Sequence, residues 1–80
     1  SGLGLAIVLI QLRDIEQALA ILRPLASRPD APPLTRYYLG HALMRLGRTE
    51  EAKRTFETFL STWDGEQSFA DEVREIIFTL

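Results

Sequence analysis

The single histidine, His41, is the side chain best suited to move a proton near neutral pH. A catalytic histidine needs a nucleophile to serve and a carboxylate to orient it. Within helical reach of His41 stand Tyr37, Tyr38, Met44 and Arg45, and none of them is a carboxylate. A hydrogen bond on a surface or in a groove is the commoner role for such a residue. Asp71, Glu72 and Glu75 gather carboxylates in a short span, but Val73, Ile76 and Ile77 run beside them, which marks the wet side of an amphipathic helix. A calcium loop would alternate oxygen ligands around a glycine, and that pattern is missing. Ser27, Ser61 and Ser68 lack the context of a nucleophile elbow. No cysteine is present, which excludes disulfides and thiolate metal sites. No strand leads into a glycine-rich phosphate loop. The expectation is therefore no enzyme, no metal and no cofactor.

Composition narrows the partners. The 80 residues fit one domain, and a chain of this size buries only about 60–65% of its unfolded surface. The net charge is −2 and the eight arginines are scattered, so there is no basic footprint for nucleic acid. The longest apolar stretch, Leu3 to Ile10, falls short of the roughly 20 residues that span a membrane. It also lacks the basic leader and small-residue cleavage site of a secretory signal. A soluble, cytoplasmic protein is expected. The chain opens with Ser1 rather than Met, which suggests a processed protein or a piece of a longer one.

Five helical segments must position these side chains. The first, about Gly2 to Leu12, is apolar nearly all round, as a helix is when buried on most sides or missing a neighbour. The second opens at Asp14, with Gln17 placed to complete a capping box. Its stripe is Ala18, Leu19, Leu22 and Leu25, at helical spacing. Pro24 inside it predicts a kink or a loosened last turn, and Pro29 stops it by Arg28. Pro32 and Pro33 open the third segment, which carries Leu39, Ala42, Leu43 and Leu46 and ends at Gly47. Thr49 is the candidate cap of the fourth, followed by Glu50 and Glu51. Its inner face is Ala52, Phe56, Phe59 and Leu60. Asp64-Gly65 signals a turn, and Asp64 with Gln67 offers a capping box for the fifth. There the apolar stripe is Phe69, Val73, Ile76, Ile77 and Leu80. Trp63, near a helix end, reads as a packing plug.

A 34-residue echo ties the segments together. Leu5-Ala6 recurs as Leu39-Gly40, Ala18 and Leu22 as Ala52 and Phe56, and Asp30 as Asp64. A period of this length, with small residues at fixed places, is the mark of stacked helical hairpins. Gly40 and Ala52 let two helices approach closely, and Phe56 and Phe59 fill the wedge beside them.

These residues resemble the tetratricopeptide repeat. Leu39-Gly40 stands at the family's Leu-Gly pair, Ala52 and Phe56 at its alanine and following aromatic, and Gly47 at the small residue of the turn. Arg36 replaces the first large aromatic, with Tyr37 and Tyr38 beside it. Leu43 replaces the later aromatic, and Asp64 the closing proline. The first repeat is degenerate, with Ala6, Leu9, Ala18 and Leu22 at the signature positions and Arg13 where a glycine usually turns the chain. Pro29 comes one place early. The fifth segment keeps the phase but places Arg74 where Gly40 would recur.

The resemblance implies an all-α fold of antiparallel hairpins stacked as a right-handed superhelix. Residues 1–30 would form a degenerate repeat, 31–64 a clear one and 65–80 a capping helix with a charged outer face, at the C-terminal end of a longer array. It also implies a non-catalytic interaction module that holds a partner peptide or helix in a concave groove. Carried over position by position, the groove comprises Leu3, Ile7, Ile10 and Gln11 in the first repeat and Tyr37, His41, Met44 and Arg45 in the second. Asp71, Glu75 and Phe78 follow in the fifth segment. Some family members clamp a terminal carboxylate with lysine and asparagine at these positions; here Leu3, Ile7, Tyr37 and His41 stand there, so that ligand is not expected. Tyr37, Tyr38 and Met44 also have the spacing of ordinary packing residues. Leu3, Ile7 and Ile10 have a second reading, burial against a missing neighbour or a second copy of the chain, which would make a homodimer or an array.

Overall fold

The spacing of apolar residues is helical from end to end, and no strand forms among the described residues. The computed structural model describes residues 2–80. Its helices are α1 (Gly2–Gln11), α2 (Ile15–Ala26), α3 (Thr35–Arg45), α4 (Thr49–Thr62) and α5 (Gln67–Thr79). Helices α1 and α2 form one hairpin and α3 and α4 a second; α2 packs on α3, and α5 lies against α4.

The 34-residue echo holds at the level of single hydrogen bonds. In the first turn Arg13 N–H donates to Ile10 O at 3.0 Å and Asp14 N–H to Leu9 O at 2.8 Å. In the second, Gly47 N–H donates to Met44 O at 3.1 Å and Arg48 N–H to Leu43 O at 2.9 Å. This paired pattern is the Schellman closure, which requires a left-handed residue just past the helix end. Gly47 supplies it at φ 77°, and Arg13 supplies it at φ 65°. A side chain in that region costs about 1–2 kcal/mol, so the first hairpin makes the same turn with a residue that opposes it.

The helix starts differ from the capping signals. Asp14 precedes α2, but its side chain makes no cap bond; its carboxylate accepts from Gln17 Nε2 at 2.7 Å instead. Thr49 and Gln67 are first helical residues, preceded by Arg48 and Glu66, and neither makes a side-chain cap. Pro32 and Pro33 lie in the turn before α3, where Thr35 N–H donates to Pro32 O at 3.0 Å. Helix α2 runs through Pro24 to Ala26. The carbonyl that Pro24 leaves without its helical donor belongs to solvent-exposed Ala20. The last turn closes locally, with Ser27 Oγ donating to Pro24 O at 2.8 Å and Arg28 N–H to Leu25 O at 3.2 Å.

The core is one cluster running through both hairpins, with Phe56, Phe59, Leu22, Leu43 and Val73 as its largest fully buried side chains. Small residues set the helix spacing. A Cβ on Gly40 would fall 2.5 Å from the Phe56 ring, so α3 and α4 can sit at this distance only with glycine there. In the first hairpin the corresponding pair is Ala6 and Leu22, both fully buried. Alanine is tolerated because leucine replaces the broader phenyl ring. Trp63 is the plug its position suggests. It stacks on Phe59 (5.0 Å, 26°), meets Phe69 edge-on at 5.5 Å, and donates Nε1–H to Glu66 O at 2.9 Å.

Candidate partner-binding surface

The 34-residue period sets residues of α1, α3 and α5 in one register, a column of equivalent positions. Helices α1 and α3 touch, and α3 reaches α5 through Tyr37, whose ring lies 5.2 Å from that of Phe69. The 34-residue shift aligns Leu3, Tyr37 and Asp71, then Ile7, His41 and Glu75, then Ile10, Met44 and Phe78. Gln11 aligns with Arg45. Gln11, Arg45, Asp71, Glu75 and Phe78 are exposed, while Leu3, Ile7, Tyr37, His41 and Met44 are half-buried. Ile10 departs from the sequence expectation. It is 9% exposed and belongs to the core, because α1 turns it toward the hairpin interior rather than the groove.

Tyr37 and His41 share a carboxylate. The Tyr37 hydroxyl donates to Glu72 Oε1 at 2.7 Å. His41 Nε2 lies 3.2 Å from Glu72 Oε2, at ion-pair distance but without the alignment of a hydrogen bond. Glu72 is thus a clasp between α5 and α3 rather than a purely solvated residue, although its side chain stays 44% exposed. Sequence neighbours could not reveal it, since it meets His41 across a tertiary contact instead of along one helix. Burial, with the Glu72 carboxylate adding to it, pushes the Tyr37 hydroxyl well above the usual phenol range. Burial lowers His41 below its ordinary 6.5, and Glu72 opposes that shift only in part. The imidazole is therefore held largely neutral near pH 7.

Rings complete the cluster. Tyr37 meets Tyr38 edge-on at 5.0 Å and His41 at 4.7 Å, and His41 meets Phe56 at 5.4 Å. Edge-to-face contacts of this kind add to burial and fix ring orientation. Packing is accordingly the first role of Tyr37 and Tyr38. Among the described residues no group of three or more histidine and acidic side chains is placed to hold a metal ion. Among the described residues no helix is long and apolar enough to cross a membrane.

Arg36, at the position of the missing aromatic, donates Nη2–H to Ala26 O at 3.1 Å and so satisfies an open carbonyl at the end of α2. Leu39-Gly40, the Gly47 turn, Ala52 and Phe56 thus form a close-packed hairpin, and residues 33–58 match the sequence profile of the tetratricopeptide repeat. That match covers about a third of the chain. No curated protein and no solved structure matches the chain. Tetratricopeptide repeats typically serve as non-catalytic protein-interaction modules. The matched repeat contributes Tyr37, His41, Met44 and Arg45 to the column described above.

The bare side of α1 is another departure. The sequence points to Leu3, Ile7 and Ile10 as the unpartnered face. The large apolar residues most open on this helix are Leu5, Val8 and Leu12, at 54%, 47% and 71% exposure. They lie on a stripe at spacing 3 and 4, rotated away from the column.

Proposed function

We propose that the chain is a non-catalytic scaffold module that holds a peptide or helix of a partner protein along the column on α1, α3 and α5. Residues 1–30 and 31–64 act as two repeat units, and 65–80 closes the stack. The observation that carries this reading is the tetratricopeptide repeat at residues 33–58, whose first helix supplies Tyr37, His41, Met44 and Arg45. The surface changes character along its length. Leu3 and Ile7 are apolar, Met44 and Arg45 adaptable and basic, and Asp71 and Glu75 acidic. A matching partner carries apolar residues at one end and basic residues at the other. Met44 suits such a contact, because an unbranched thioether can follow the shape of different side chains.

Tyr37 and His41 are engaged by Glu72, so they shape the floor of the surface while Met44 and Arg45 meet the ligand. The test is to select binding peptides from a displayed library and compare their affinity for the parent chain and for Met44→Glu and Arg45→Glu variants. Arg45 is exposed and Met44 is half-buried against the core, so the melting temperature of each variant is measured beside its affinity, and Arg45→Glu, which should melt with the parent, carries the comparison. The proposal expects at least about a tenfold loss, or roughly 1.4 kcal/mol. Equal binding by parent and variants would reject the surface.

A further inference from the structure

Six equivalent positions change character between the two hairpins. In the second, Arg36 and Leu39 of α3 and Glu51, Arg54, Thr55 and Thr58 of α4 line a cleft of about 290 Å³. Counting back 34 residues, the same positions hold Gly2, Leu5, Gln17, Ala20, Ile21 and Pro24, with neither a charge nor a hydroxyl among them. The polarity of the cleft therefore belongs to these side chains and is not a product of the hairpin. Arg36 also stands where the repeat pattern carries its first large aromatic. None of the six belongs to the column on α1, α3 and α5, so the cleft is independent of the proposed groove.

Glu51 is the one acid in the cleft lining, and it is already met. The Arg23 guanidinium grips both of its oxygens, and Arg48 lies 3.8 Å away. Arg36 gives Nη2–H to the neutral Ala26 carbonyl at 3.1 Å, and its other donors meet no described acceptor. Arg54, on the facing helix, makes no hydrogen bond or ion pair through its guanidinium with a described residue. Glu50 and Glu57 are within helical reach of it but close no pair. Two cations are thus left uncompensated beside Leu39, which is buried and joins the cleft to the core. Thr55 Oγ1 donates to Glu51 O at 2.9 Å and Thr58 Oγ1 to Arg54 O at 3.1 Å. Those carbonyls lie inside α4, which supplies amide donors of its own, so both hydroxyls can turn to another acceptor.

We infer that this cleft binds a phosphate monoester dianion, carried on a phosphorylated serine or threonine of a partner protein or on a small molecule. Two guanidinium forks and two hydroxyls suit an anion with three terminal oxygens and close to two charges. A carboxylate, with two oxygens and one charge, leaves one arginine unmet. A nucleic-acid strand needs a longer basic track than these scattered arginines provide.

The probes are inorganic phosphate, N-acetylphosphoserine methylamide, its unphosphorylated counterpart and acetate, each titrated into the isotope-labelled chain near neutral pH. Both phosphate probes should shift the amide signals of Thr55 and Thr58 and the guanidinium Nε–H signals of Arg36 and Arg54. The unphosphorylated probe should leave them in place. Acetate should bind at least about tenfold more weakly, the loss of one charge-assisted bond. Arg54→Gln should weaken phosphate binding by at least about the same factor. It should melt with the parent, because the Arg54 guanidinium holds no other element in place. Arg74→Gln removes the same charge from the exposed side of α5 and should leave phosphate binding unchanged. Tighter binding of the phosphoserine probe than of inorganic phosphate supports a protein-borne group, and the reverse order supports a small molecule. The inference is overturned if no shift appears at millimolar phosphate, if the shifts map elsewhere, or if acetate binds equally well. It is also overturned if Arg74→Gln weakens binding as much as Arg54→Gln, which is the behaviour of overall charge alone.

Discussion

At the α1–α2 turn an arginine takes the left-handed conformation that glycine takes at the α3–α4 turn, and the hydrogen bonds around the two are the same. At the next level the hairpins part. The second interlocks Gly40 with Phe56 and holds α2 through Arg36 and Glu51. The first has Ala6 and Leu22 in place of the interlock, and Gly2 and Gln17 in place of the anchors. One backbone unit can therefore be kept while its side chains are specialised for different neighbours. The second hairpin packs its Arg36, Leu39 and Ala42 face against α2. The first leaves its packing face open.

The largest break in this comparison should come at position 40. Gly40→Leu forces a side chain into the Phe56 ring, and overpacking of a tight core costs about 1–3 kcal/mol, occasionally more. In a domain of this size each kcal/mol lowers the melting temperature by about 4–8 °C. The milder Gly40→Ala should also destabilise, although alanine is the better helix former. At the equivalent Ala6 the order reverses, and Ala6→Gly should lose about 1 kcal/mol of helix propensity. Thermal melts of the three variants test this. An unchanged melting temperature for Gly40→Leu would mean that the register linking the hairpins is wrong.

A smaller pair of changes probes the turns. Gly47→Arg should cost about 1–2 kcal/mol, and Arg13→Gly should recover up to about the same amount, since each changes only the left-handed strain. Denaturant unfolding of both variants would show opposite shifts in midpoint. Shifts of the same sign would separate the two turns energetically despite their shared hydrogen bonds.

The smallest expected effect is electrostatic and belongs to the second hairpin alone, because Ile7 stands where His41 would recur. The folded pKa of His41 is lowered by burial, so the fold favours the neutral ring. Its contribution to stability is complete above 6.5 and is lost as pH falls from there through the folded value. A proton-resonance titration should place the midpoint below 6.5. Glu72→Gln, which removes the opposing carboxylate, should move it lower still. A midpoint at or above 6.5 would mean that Glu72 outweighs burial.

Much of the fold was legible because it rests on local signals. Apolar spacing marks all five helices, and the 34-residue echo implies their pairing. Capping was less legible. Asp14 and Gln17 have the right types at the right spacing, yet the amide meets the carboxylate instead of each meeting the backbone. Side-chain competition of this kind leaves no trace in a sequence pattern. Glu72 looks solvated in the sequence because its partners lie 31 and 35 residues away. The open face of α1 is not legible, because a helix apolar all round has little asymmetry to show which side is buried.

Where a partner touches the column is the most direct test of the proposed surface. Amide chemical shifts should be followed while a peptide selected against the chain is titrated into it. The largest changes are expected at Leu3, Ile7, Met44, Arg45 and Glu75, with α4 and the outer stripe of α1 unmoved. Shifts concentrated on α4, or on Leu5, Val8 and Leu12 with the column silent, would contradict the proposed surface.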